Sequence, residues 1–312
     1  MQDTGMAQLR PLNPELAEIA RKDLNEVPSR IPSDLEALRE WIKKEPHLKA
    51  RTDDQFLIAF LRYCKYSLES AKKRIDYFYT YKSSAKDLIK SRRIDDKIID
   101  IARSGIFCSL PKPKGAGGPR IHFMRMGNIN PTIHSVQDVF RFHIMRCEIE
   151  TNTDDNWNIS GVIEIIDFSK IPFGFLKQFD PTLFRQMASV LEFGIPTNLL
   201  GTHIVNASKE AQIILGLIRN VMKQKELLNI HPTLESLQQA IGKEYLPAEY
   251  GGTNSSFEES EQNYEKLLMS YKSYFDEDDQ YGVDEKLRQG ENQMSELFGG
   301  SATGSFRKLD ID

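Results

Sequence analysis

Residues 160–222 read SGVIEIIDFSKIPFGFLKQFDPTLFRQMASVLEFGIPTNLLGTHIVNASKEAQIILGLIRNVM, and the order of textures along this stretch decides the fold. Ser160–Ile166 is short, apolar and β-branched, which suits a buried strand. Asp180–Phe193 spaces its apolar residues as a helix does, Gly201–Val205 is a second short apolar strand, and Ser208–Met222 is a second helix. Strand and helix in alternation predict an α/β sheet with helices packed on it. Working outward, Arg120–Met126 adds a strand and Ser135–Glu150 a helix.

Upstream the texture changes. Leu110–Pro119 holds three prolines and three glycines in ten residues, which neither a helix nor a central strand tolerates, so a boundary belongs there. The segment before it reads as a helical bundle. Asn13 and Pro14 open a helix that carries Leu16, Ile19, Ala20 and Leu24. Ser33 with Glu36, and Thr52 with Gln55, have capping-box spacing ahead of further stripes. Leu68–Tyr81 and Ile94–Ala102 supply two more helices. Beyond Gly252 the chain turns polar; Tyr264, Leu267, Leu268 and Tyr271 suggest one further helix, Asp276–Asp279 reads as a solvated acidic tail, and Gly299–Gly304 as flexible chain.

Composition narrows the function. The 312 residues suggest two units against roughly 150 per domain. Lys and Arg number 41 and Asp and Glu 45, so a net charge of −4 excludes binding by wrapping nucleic-acid phosphates. Cys64, Cys108 and Cys147 form no CxxC pair, six histidines form no H-x-x-x-H pair, and the acidic run lacks the glycine and terminal glutamate of a calcium loop; no metal is expected. Gly115, Gly117 and Gly118 precede a strand instead of opening a helix, unlike a phosphate cradle, and no G-x-S-x-G occurs. No secretory signal is read in Met1–Asn25, and no 18 apolar residues run together. The expectation is a reduced, cytoplasmic chain without a cofactor.

The apolar surface is more telling. Ile213, Ile214, Leu217, Ile218, Val221 and Met222 form one broad helical stripe. Phe140, Ile144 and Cys147 share a helix face with His143, a mixture that suits an apolar pocket with a few orienting groups. His143 suits a hydrogen bond to an alcohol or aldehyde. A rival reading makes His143 and Cys147, one turn apart, the base and nucleophile of a lipid-modifying enzyme.

Three motifs carry a resemblance: Gly201-Thr-His-Ile-Val-Asn206, Tyr245-Leu-Pro-Ala-Glu-Tyr-Gly-Gly252 and Gly161-Val-Ile-Glu-Ile-Ile-Asp167. The chain resembles the CRAL-TRIO lipid-binding family, which includes the α-tocopherol and retinaldehyde carriers. Asp53–Arg62 resembles the helical domain that precedes it there, and the Arg10–Leu16 opening and Gly304–Leu309 ending look like insect members. The resemblance implies an N-terminal helical domain over 1–110, the α/β lipid-binding domain over 111–256 with a mobile lid helix over an apolar pocket, and a C-terminal helix with an acidic tail over 257–312. It implies a pocket wall of Met124, Phe140, His143, Ile144, Cys147, Val162, Ile166, Met187, Val190, Leu191, Ile214, Leu217, Ile218 and Val221. Arg62, Arg219, Lys223 and Lys225 become the expected phosphoinositide or membrane contacts. The implied function is a non-enzymatic, monomeric carrier of a retinoid, carotenoid, tocopherol or similar isoprenoid, with transient membrane association. The alternative is phosphatidylinositol or phospholipid transfer.

Overall fold

The computed structural model describes residues 8–85, 88, 92–178, 181–221 and 224–290. Helix α1 (Pro14–Asp23) starts as its sequence predicts, with Leu16 N donating to Asn13 Oδ1 at 2.7 Å. Helix α2 (Ile31–Lys44) starts earlier than the Ser33 and Glu36 spacing predicts. Pro32 occupies its first turn and the Ser33 hydroxyl turns back to the Arg30 carbonyl at 2.8 Å. The two-residue strand β1 (Leu48–Lys49) follows. In α3 (Asp54–Tyr63) the cap is Asp53, not Thr52: its carboxylate accepts from Phe56 N at 2.9 Å and complements the helix dipole. Helices α4 (Leu68–Ser84) and α5 (Asp96–Arg103) complete the bundle. Its centre is aromatic: Phe56, Phe60 and Phe78 are at most 1% exposed, and their ring centroids lie 5.0 to 5.7 Å apart.

Strands β2 (Phe107–Ser109), β3 (Arg120–Arg125), β4 (Val162–Asp167), β5 (Leu199–Val205) and β6 (Leu228–Ile230) form one sheet in that spatial order. Only β2 runs antiparallel to its neighbour. Between strands lie α6 (Val136–Thr153), α7 (Asp155–Ser160), α8 (Phe173–Leu176), α9 (Pro181–Ser189) and α10 (Lys209–Val221). Helices α11 (Leu234–Ile241), α12 (Phe257–Ser270) and α13 (Lys272–Asp276) follow, and strand β7 (Gly282–Val283) pairs with β1, closing the C-terminal segment onto the bundle.

Alternation along each strand gives the sheet two faces. Ile121, Phe123, Ile163, Ile165 and Val205 form an outer core with Leu237, Ile241, Tyr250 and Phe257. Phe107, Val162 and Ile204 face inward, toward the bundle and α6, in the larger core.

Two sequence expectations change. The helix predicted over Asp180–Phe193 is α-helical only to Ser189 and ends in a wide π turn, Val190–Gly194. That turn rests on α4. Arg74 donates to the Glu192 carbonyl, Tyr77 meets Phe193 edge to face at 6.0 Å, and a Cβ on Gly194 would lie 2.1 Å from the Tyr81 ring. The acidic run is solvated at Asp276, Glu277 and Asp279 but not at Asp278. Asp278 is 5% exposed and accepts from Lys82 Nζ at 2.5 Å and from Arg92, which also donates to Glu148 of α6. Buried carboxylates persist only with cations beside them, and here the bundle supplies both. The tail residues Gly299–Gly304 lie outside the described residues.

Candidate functional site

The three motifs meet at one residue. Asp167, at the end of β4, accepts from Asn206 Nδ2 at 2.9 Å and from the Tyr250 hydroxyl. Asn206 has φ +57, a left-handed conformation that asparagine tolerates better than most residues and that turns the chain from β5 into α10. Tyr250 thereby ties the closing Tyr245–Gly252 segment to the carboxyl ends of the parallel strands. A cleft of about 380 Å³ opens beside this node on the outer face. The node fixes the turn that precedes α10.

The structure places the predicted wall residues differently from one another. Phe140, His143, Ile144 and Cys147 project from α6 and are at most 6% exposed; Val162 and Val190 are at most 2% exposed. Met124, Ile166 and Met187 pack against the same core but are only partly buried, and Leu191 is 37% exposed. The contrast within β4 is informative. Its outward residues Ile163 and Ile165 are 8% and 0% exposed, whereas inward-facing Glu164 and Ile166 keep accessible surface although two strands flank β4 on each side. The inner face of β4 is thus less tightly covered than its outer face. The side chains of Ile214, Leu217, Ile218 and Val221, the expected lid wall, lie outside the described residues.

The structure adds residues that the wall prediction leaves out. Glu164 lies 3.5 Å from His143 Nε2, and Arg146 Nη2 lies 3.3 Å from His143 Nδ1. His122 Nε2 lies 2.7 Å from Glu150, which also accepts from the Ser109 hydroxyl at 2.6 Å. The available signal was Glu164 itself, the one charged residue among the aliphatic residues that precede Asp167 in β4. Burial and the Arg146 charge push His143 well below the ordinary imidazole range, and the same two causes bring His122 down to about 4. Burial would raise Glu150, but His122 and Arg146 together hold it at about 2. Burial raises the Cys147 thiol well above its ordinary value, so it stays protonated 3.8 Å from His143 Nε2 and is a poor nucleophile.

A folded-state imidazole held below its unfolded value favours folding above about pH 6.5, and that contribution fades as pH falls toward 4. His122→Asn is accordingly expected to reduce the slope of unfolding free energy against pH in this window by up to about 1.4 kcal/mol per pH unit. Urea titrations at a series of pH values measure it; an unchanged slope would place the proton uptake elsewhere.

Of the expected cationic contacts, Arg62 is interior. It is 2% exposed and donates to Glu26 Oε2 at 2.8 Å and to Asp155 Oδ1 at 2.9 Å, so two carboxylates already hold its charge. Arg219 and Lys225 are exposed on and just after α10, and Lys223 lies outside the described residues. Among the described residues no group of His, Cys, Asp and Glu is arranged to hold a metal ion, and no helix is long and apolar enough to cross a membrane.

Residues 104–252 match the CRAL/TRIO domain, and residues 27–99 match the Pinta-like UBA domain. Clavesin-1 of Xenopus laevis is 29% identical over 246 residues, covering 78% of this chain and 74% of that protein. Clavesin-2 of Homo sapiens is 27% identical over 277 residues, covering 88% and 83%. The crystal structure of Sfh5 aligns with a TM-score of 0.48 at 10% identity, over 85% of this chain and 99% of that one.

Proposed function

We propose, from the premise that this chain belongs to the CRAL/TRIO family of lipid-transfer proteins, which are carriers and not enzymes, that it encloses one isoprenoid-like lipid and exchanges it at membranes. The guest would lie between the inner face of the sheet, α6 and α10. The supporting observation is the accessible surface at Glu164 and Ile166 in the middle of the sheet. A lipid of about 30 heavy atoms, at roughly 0.3 kcal/mol per atom, would be held by about 9 kcal/mol, on the order of sub-micromolar affinity. Such a guest is retained in water yet releasable. Denaturing the purified protein, extracting with organic solvent and measuring the extract by mass spectrometry tests the reading. About one lipid per chain supports it, and protein from lipid-replete cells that yields none overturns it.

Exchange in the cytoplasm requires α10 to leave the pocket, and a bilayer lowers the cost by solvating its apolar side chains. Ile213, 69% exposed on α10, is an available first contact, with Leu200, 50% exposed, nearby in sequence. Transferring Ile213 into lipid would recover on the order of 1 to 2 kcal/mol. Ile213→Asp is therefore expected to slow vesicle-to-vesicle transfer by about 5- to 30-fold while bound lipid per chain stays constant. Unchanged transfer would remove α10 from the docking surface.

A further inference from the structure

Strand register sets Ser109, His122, Glu164 and Thr202 side by side in one row across four strands of the inner face. Polar groups in such a floor are costly unless partnered. Ser109 donates to Glu150, whose second oxygen lies 2.7 Å from His122 Nε2. Glu164 differs. None of the described residues donates a hydrogen bond to its carboxyl; the nearest donor, His143 Nε2, is 3.5 Å away, and 14% of the side chain remains open in the middle of the sheet.

His143 has a defined tautomer. Arg146 can only donate, so the Nδ1 atom it faces at 3.3 Å accepts, and the neutral ring carries its proton on Nε2. The Nε2 proton has Cys147 Sγ at 3.8 Å, a weak acceptor. A donor and an acceptor thus stand too far apart to satisfy each other, with accessible space beside them. One hydroxyl oxygen bridges that gap by accepting from Nε2 and donating to the carboxyl.

We propose that His143 and Glu164 anchor the head of the ligand, and that the ligand is an apolar lipid ending in an alcohol. This deepens the carrier reading and rests on it. A hydrocarbon leaves both groups unmade. An aldehyde accepts from His143 but donates nothing to a carboxylate. A fatty acid or phosphate brings negative charge against Glu164 and the nearby Glu150, while the Arg146 guanidinium, 1% exposed, is already engaged by His143 Nδ1 and the Ser109 hydroxyl. Burial raises the Glu164 carboxyl, and an alcohol, being both donor and acceptor, satisfies it in either protonation state.

The test is a competition. The full chain is incubated with an equimolar mixture of phytol, phytanic acid, phytane, retinol, retinoic acid, cholesterol, cholestane and phosphatidylinositol, re-isolated, extracted and measured by mass spectrometry. Each alcohol that binds is expected to exceed its matched acid or hydrocarbon by at least about tenfold. Glu164→Leu should bring these ratios to within about twofold while total bound lipid persists. Glu164→Gln keeps an acceptor without charge, so it should admit the acids yet still disfavour the hydrocarbons. Acids, hydrocarbons or phosphatidylinositol prevailing in the wild type would overturn the anchor, as would ratios that Glu164→Leu leaves unaltered; in those cases the carrier reading stands. Retention of no lipid at all overturns the carrier reading and the anchor together.

Discussion

Replacing Ile166 with Trp is expected to yield a folded protein that retains at least about tenfold less lipid. Ile166 faces inward in the central strand, between Met124 and Ile204 in the register, and is only partly buried there. If the space beside it holds a guest, the indole occupies that space and the guest must be displaced or compressed. Overpacking of about 1 to 3 kcal/mol then falls on binding, because an empty pocket accommodates the ring without strain. A solidly packed core reverses the outcome, with the same strain appearing as lost folding stability. Extracted lipid per chain and the urea midpoint, measured together, separate the two. A destabilised variant with unchanged lipid content would count against a cavity at this position.

The second large effect concerns stability. Arg92→Ala removes the cation shared by Glu148 and Asp278, leaving Lys82, which is 2.5 Å from Asp278 but 4.0 Å from Glu148. Breaking a buried ion pair from one side typically costs about 3 to 5 kcal/mol, since the remaining charge stays in a poor solvent. Urea unfolding measures the loss, and a value under about 1 kcal/mol would show that water already screens the cluster. Burial holds Glu148 at about 7 even with Arg92 present. A carboxyl raised in the folded state binds protons more tightly than the unfolded chain does, so its destabilisation at high pH is relieved on acidification. Removing Arg92 raises Glu148 further, so the deficit of the variant should shrink as pH falls toward about 7, where Glu148 is half protonated in the wild type. The same contacts join the bundle, α6 and the C-terminal segment, so removing Arg92 is expected to loosen the wall that carries His143 and Cys147 as well.

Much of this architecture was legible because its signals are local. The short apolar, β-branched run Val162–Ile166, helical spacing in α6 and α10, and the prolines and glycines of Leu110–Pro119 are all read within one segment. The shared face of Phe140, His143, Ile144 and Cys147 follows from helical spacing, whereas Val162 and Ile166 of β4 were expected in the wall on the family resemblance alone. Strands β2 and β6, three residues each, and the pairing of β1 with β7 were missed because so few residues cannot display a period. Arg62 looked like an available surface cation because a single helix cannot show that Glu26 and Asp155 will arrive from elsewhere.

The amino-acid order by itself determined the alternation of strands and helices, the apolar stripes and the three motifs, since each depends on neighbours a few residues away. Tertiary structure alone decided that Asp167, Asn206 and Tyr250 share one node, that Lys82, Arg92, Glu148 and Asp278 share one buried cluster, and that Glu164 stands open beside His143. Those groupings depend on strand register and on contacts between distant segments. The balance of charge and hydrogen bonding at a buried group is set by what surrounds it in space, which no local spacing records.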